Sequence, residues 1–343
     1  MTTTPDPWAD AGPAPERPRP GAGQDWSTRR QARERTARDQ DDPLAGFEPV
    51  APRTARRHAR RHALSLPERA ARGLGSLLRH DPTPERLAAH AAAVQAPVTT
   101  GRRIAVVSLR GGAGKTTVSA LLARTVAALR PEPVAAVDLD PAAGSLGLRL
   151  GDAAAPGADR LAAELAALPV PALADLSARM AVSGAGLHHT GPRVAARPLG
   201  VEAATTLLAA LSRHVPVTVL DCPTGTGHPD TAAVLAHSHA AVFVLPASPA
   251  GVDEAAGYLR HWRQDPVLSA VPVTAAVVGT DARGVLDPRA QAAALARVGV
   301  AAVAVRHDRH LAAGVDVSLP LARPENRLAA AELSARALAG SRP

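Results

Sequence analysis

The run SLRGGAGKTT, residues 108–117, sets three glycines, a lysine and two threonines directly after a short apolar stretch. A glycine-rich turn between a buried strand and a helix exposes successive backbone N–H groups at the positive end of the helix dipole, which makes an anion site. Gly111, Gly112, Ala113, Gly114, Lys115, Thr116 and Thr117 form the expected phosphate-binding run, with the glycines as its cradle. Lys115 would reach the β- and γ-phosphate oxygens of a nucleotide, and the Thr116 hydroxyl would sit on Mg²⁺. Lys115 is also the one lysine among 39 basic residues. Ile104 and Asn326 are equally solitary, and residues with AT-rich codons are scarce throughout, as in GC-rich coding that has turned replaceable lysines into arginines. A compact ammonium fits a tight ring of backbone donors where a planar guanidinium does not. That accounts for a lysine at this position, whereas an ordinary turn with fortuitous glycines does not. The strict spacing G-x-x-x-x-G-K-[ST] asks for glycine at 109, and this chain has Leu109.

Three acidic residues extend the site. The stretch VDLD (137–140) closes an apolar run, so Asp138 and Asp140 fall at the carboxyl edge of a strand, where doubly wound sheets bind ligands. The stretch VTVLDCPTGTG (217–227) ends a second run with Asp221, the position of a carboxylate that holds Mg²⁺ through water. Its glycine-containing loop could sense a γ-phosphate. One acidic residue at a strand end is often only a helix cap; three at matching ends point to metal and phosphate chemistry.

These residues need a scaffold. From Arg103 onward, strand-like runs (RIAVVSL, PVAAVDLD, VPVTVLD, AAVFVLP, VPVTAAVVG, VAAVAVR) alternate with helical patterns, the rhythm of an α/β fold with a mostly parallel sheet flanked by helices. The segment after the glycine turn carries Val118, Leu121, Leu122, Val126 and Leu129 on one stripe and stops at Pro131. Between 152 and 198 the pattern is Ala-rich, with helices expected near 157–168 and 172–180, and PENRLAAAELSARALAG reads as a last helix capped by Gly340. Residues 1–52, rich in Pro and Arg, bury too little apolar surface to order and read as a disordered arm. Residues 53–100 read as a basic run (RTARRHARRHAL, 53–64) and a helical preface, with helices at 66–80 and 83–95, and 101–343 as the main domain. No run of about 18 apolar residues and no apolar leader occurs, so no transmembrane segment is expected and the chain is placed in the cytoplasm. One cysteine, Cys222, forms no internal disulfide.

The motifs RGGAGKTT, VDLDP and VLDCPTG, in this order and spacing, resemble the deviant Walker A, Walker A′ and Walker B motifs of the ParA/MinD family of P-loop NTPases. The resemblance covers about residues 101–340; FVLPASPAGVDEA (243–255) and VRHDRHLAAG (305–314) are similar to later family segments. Within the family, the preface and the GGAGKTT form look most like the EspI-like, MinD-like proteins of actinobacterial type VII secretion loci. The resemblance implies an ATPase that binds ATP and Mg²⁺, forms an ATP-dependent homodimer, and parts after slow hydrolysis. It further implies that Asp140 orients the attacking water and Asp138 supports the Mg²⁺ shell. The family's signature lysine, which crosses to the partner's phosphates, falls on Arg110, read as an arginine finger acting in trans. The alternative for Arg110 is a weakened dimer with hydrolysis nearly lost. Gly279 and Thr280 stand where the family offers an adenine-reading asparagine, which keeps GTP open as an alternative.

The formal charge of +8 is concentrated toward the N-terminal region. The run from Arg53 to Arg61 could meet DNA, acidic lipid or an acidic protein, placing the chain peripherally at the membrane or nucleoid, or be a solvated linker in an arginine-biased chain. The histidines at 188, 189, 237, 239, 307 and 310 lack a matching ligand set and read as structural or surface residues rather than a metal site. The functions these features leave are a positioning or type VII secretion switch with a protein partner in the secretion machinery, a DNA-partitioning ATPase, and a nucleotide-binding scaffold without turnover.

Overall fold

The computed structural model describes residues 83–141, 144–192 and 199–340. The arm expected over 1–52, the basic run and the helix expected at 66–80 lie outside them. A preface helix α1 (Thr83–Gln95) precedes β1 (Arg102–Val107), α2 (Lys115–Leu129) and β2 (Val134–Asp138). Two short helices, α3 (Leu146–Arg149) and α4 (Ala158–Ala166), lead to α5 (Leu173–Arg179), β3 (Ala181–Ser183), β4 (Leu187–His189) and α6 (Val201–His214). The chain continues through β5 (Val217–Asp221), α7 (Pro229–Ala236), β6 (Ala240–Pro246), α8 (Pro249–Gln264) and β7 (Val273–Val278). It closes with α9 (Pro288–Arg297), β8 (Ala302–Val305), α10 (Arg309–Ala312) and α11 (Pro324–Gly340).

The strands form one sheet in the order β3-β4-β2-β5-β1-β6-β7-β8, parallel throughout except for β3 against β4. The central strands are Val/Ala-rich because both faces are covered by helices. In β1, Ile104 and Val106 enter a core shared with α2 and α11, while Ala105 and Val107 enter a second core on the other face, shared with α4, α6 and α8. This is the two-residue period of a strand read on both sides. Burying a leucine such as Leu207 or Leu211 of α6 contributes about 1.5–3 kcal/mol.

The six strands expected from sequence are β1, β2, β5, β6, β7 and β8. The sequence pattern did not show the β3–β4 hairpin. Its strands are three residues each, too short for a period, and its turn needs a left-handed Ala185 (φ 60°) and Gly186 (φ 72°). The expected Gly340 cap is corrected: α11 runs through Gly340, whose absent side chain lets it approach Pro272. α11 spends its alanines on the core against α1, α2 and the sheet, and no helix among the described residues is long and apolar enough to cross a membrane. The preface helix α1 is held through Arg130, whose Nη1 donates to the carbonyls of Val94 (2.6 Å) and Ala96 (3.0 Å).

Candidate functional site

The loop between β1 and α2 turns on two left-handed glycines, Gly112 (φ 76°) and Gly114 (φ 94°). The first turn of α2 then begins at Lys115, and its N–H groups have no acceptor within the helix. A cavity of about 440 Å³ opens here, lined by Arg110, Gly111, Gly112, Gly114, Lys115 and Thr116, with Thr117, Asp140, Arg149 and Thr224 around it. Ala113 is the one residue of the run that turns away, into the core below.

Under the cavity lies a buried charge cluster. Lys115 Nζ donates to Asp221 Oδ1 at 3.2 Å, and Ser119 Oγ donates to the same oxygen at 2.9 Å. Burial works against the ammonium, but the charge and hydrogen bond of Asp221, aided by Asp140, outweigh it and raise the Lys115 pKa. Asp221 and Asp138 are register partners at the ends of β5 and β2, and neither is exposed. Asp138 accepts from the backbone N–H groups of Asp140 (3.1 Å) and Leu146 (3.0 Å), which shapes the loop carrying Asp140 into the cavity wall. Gly144 permits this approach, since a Cβ there would stand 2.6 Å from Asp138 Oδ2. Burial and the neighbouring Asp221 push the Asp138 pKa up to about 7.

Two buried carboxylates thus stand side by side at the strand ends, with the Lys115 ammonium bonded to one of them, and Asp221 Oδ2 has no hydrogen-bond partner among the described residues. With Thr116 on the cavity wall, this set of oxygen donors fits a hard dication such as Mg²⁺. Cys222, next in the chain, is buried, and its thiol is pushed up to about 12 by burial, so it adds no reactive thiolate.

The rim differs. Arg110 borders the cavity, yet its guanidinium pairs through Nε and Nη2 with both carboxylate oxygens of Glu254 on α8. Leu109 packs its side chain on the core beneath α8 rather than opening the turn. The 223–227 loop is tied to the phosphate turn by Gly225 N–H donating to the Ser108 carbonyl at 2.9 Å. At the far wall stand Gly279, Thr280, Arg306, His307 and Asp308. A side chain at 279 would press on the His307 backbone nitrogen (2.9 Å), which gives glycine at this position a packing reason. The histidines form separate contacts: His188 with Ser177, His239 with the Arg103 N–H, and His310 with the Ser318 N–H.

Two contributors were missed from sequence. Arg149 lines the cavity from α3. Asn326, already conspicuous as the single asparagine, locks the segment after β8: its Oδ1 accepts from Arg306 N–H at 2.8 Å and its Nδ2 donates to the Arg306 carbonyl at 2.9 Å. The solitary status that marked Lys115 marked Asn326 as well.

Residues 104–226 match the family model of the CobQ/CobB/MinD/ParA nucleotide binding domain. The ESX-1 secretion-associated protein EspI of Mycobacterium tuberculosis is 31% identical over 242 residues, 68% of this chain and 36% of EspI, so the chain spans about a third of that relative's length. A ParA family ATPase from Chlorobium tepidum shares the fold with a TM-score of 0.55 at 16% identity, over 68% of this chain and 98% of that one. The septum site-determining protein MinD from Pyrococcus horikoshii, complexed with Mg-ADP, does so with a TM-score of 0.51 at 18% identity, over 68% and 95%. With its glycine turn, buried lysine and paired strand-end carboxylates on this sheet, the chain is a ParA/MinD-like protein of the P-loop nucleotide-binding fold, with similarity to EspI.

Proposed function

We propose that this chain is an ATPase switch: it binds ATP with Mg²⁺, pairs with a second copy while ATP is bound, and separates after slow hydrolysis. The observation that carries the reading is Lys115, buried on Asp221 at the base of a cavity walled by the glycine turn and Asp140. In this reading the N–H groups of residues 111–117 cradle the phosphates and Lys115 neutralises the β- and γ-oxygens. Thr116, Asp138 and Asp221 would hold Mg²⁺, which supplies charge neutralisation across the phosphates when bound. Asp140 orients the attacking water, and Asp138 keeps Asp140 in place through its N–H. Arg110 exchanges Glu254 for the phosphates of the second subunit, where a cation stabilises charge that develops in the transition state.

Similarity to EspI supports a role as an accessory of type VII secretion, with a protein partner in that machinery and a cytoplasmic, peripheral location. The test is turnover and ATP-dependent association of the full chain, with Lys115→Ala and Asp140→Ala beside it. Association and turnover in the parent, lost in Lys115→Ala, support the switch. Full turnover in Asp140→Ala removes the water-orienting role.

A further inference from the structure

Arg149 ends α3 and faces the same cavity as Gly114, Lys115, Thr116 and Thr117. Its Nε and Nη1 are buried without hydrogen-bond partners among the described residues. The charge that acts on it is that of Asp221, an aspartate already engaged by Lys115 and Ser119. Burial depresses the pKa of Arg149, yet a guanidinium does not give up its proton in a protein. The side chain therefore carries a largely desolvated charge that Asp221, already engaged, offsets only in part.

The backbone beneath it is clamped. Arg149 N–H donates to the Ser145 carbonyl at 3.1 Å, and its own carbonyl accepts from Val317 N–H at 2.8 Å. Next to it, the Leu150 carbonyl accepts from Arg124 Nη2 at 2.8 Å, the same nitrogen that holds Asp316. At the other end of α3, Leu146 N–H is tied to Asp138. A rigid support and unsatisfied donors facing an anion cradle describe a preorganised receptor for phosphate oxygens, which a guanidinium fork binds in pairs.

We propose that Arg149 is a second phosphate-binding cation of this site, supplied by the same subunit and engaging the phosphate chain of the nucleotide that Lys115 holds. This rests on the ATP-binding reading and adds to it a residue distinct from the trans-acting Arg110. The contact would also join nucleotide to α3 and so to the loop that carries Asp140.

The test compares the parent with Arg149→Met and Arg149→Lys, measuring melting temperature without nucleotide and Mg-ATP affinity by titration calorimetry. Arg149→Met should melt at or above the parent temperature, because it removes a desolvated charge that the protein compensates only in part, while its Mg-ATP affinity falls about 10- to 100-fold. Arg149→Lys should recover part of that loss. An Arg149→Met variant that binds Mg-ATP within about twofold of a parent that does bind overturns the assignment and leaves the ATP-binding reading intact. A variant that loses melting temperature and affinity together assigns Arg149 a structural role and likewise overturns it. If the parent itself binds no Mg-ATP, both readings fall.

Discussion

The floor and the rim of the phosphate cavity are built from the same pairing, a base against a carboxylate, in opposite surroundings. On the floor, Lys115 and Asp221 are 7% and 0% exposed; on the rim, Arg110 and Glu254 are 53% and 37% exposed. The rim pair has the bidentate geometry, but water and salt screen it and two long side chains must be ordered to hold it, so it adds little stability. The floor pair sits where an unmatched charge is costly and where removing one partner leaves the other stranded. Contact geometry alone would rank these pairs wrongly. Burial makes Lys115 and Asp221 a fixed part of the fold and leaves Arg110 free to change partners.

The largest effect should come from breaking the floor. Lys115→Met should abolish the melting-temperature rise expected of the parent with Mg-ATP and should destabilise the unliganded protein by about 3 kcal/mol, since Asp221 is left buried without its ammonium. Adding Asp221→Asn should restore most of the stability without restoring ATP binding, which separates the two roles of the pair; denaturant unfolding with and without nucleotide reads both. Next, Asp140→Ala on the cavity wall should keep nucleotide affinity and lower turnover by about 10²-fold or more, seen as phosphate release at saturating ATP.

At the rim, Arg110→Ala should leave the unliganded melting temperature unchanged and nucleotide binding nearly so, yet remove turnover, with Arg110→Lys recovering it. Mixing Arg110→Ala with Lys115→Ala protein should regain activity that neither has alone. If Arg110→Ala hydrolyses ATP and associates like the parent, Arg110 is only a surface base beside the turn.

The smallest effect concerns the opposite end of the sheet, where Nδ1 of His239 accepts from Arg103 N–H at 3.1 Å. Burial, with the charges of Arg103 and Arg102, lowers the His239 pKa to about 4. Below pH 6.5 the unfolded chain takes up a proton that the folded chain refuses until about pH 4, so stability should fall as pH drops through that window. His239 is half-buried and solvent screens part of the effect, leaving about 1 kcal/mol. His239→Asn should flatten the slope in pH-dependent unfolding without touching nucleotide binding.

Much of the site could be read from the chain because its chemistry is local. Gly111 to Thr117 are contiguous, and Asp138 and Asp221 each end a recognisable apolar run. The pairing of Asp138 with Asp221 depends on strand order, which places β5 between β1 and β2. The Arg110–Glu254 bond spans 144 positions and no spacing rule anticipates it. Arg149 was hidden by composition: in a chain where nearly every base is arginine, one more carries no signal until its surroundings are seen. The β3–β4 hairpin was hidden by its shortness, and α3 by being a single turn.

The most direct measurement is titration calorimetry of Mg-ATP into the parent and into the Lys115→Met/Asp221→Asn double variant, after matching their melting temperatures. The account predicts saturable binding of one nucleotide per chain to the parent and none to the variant. Equal binding to both, or no binding to the parent, would contradict it.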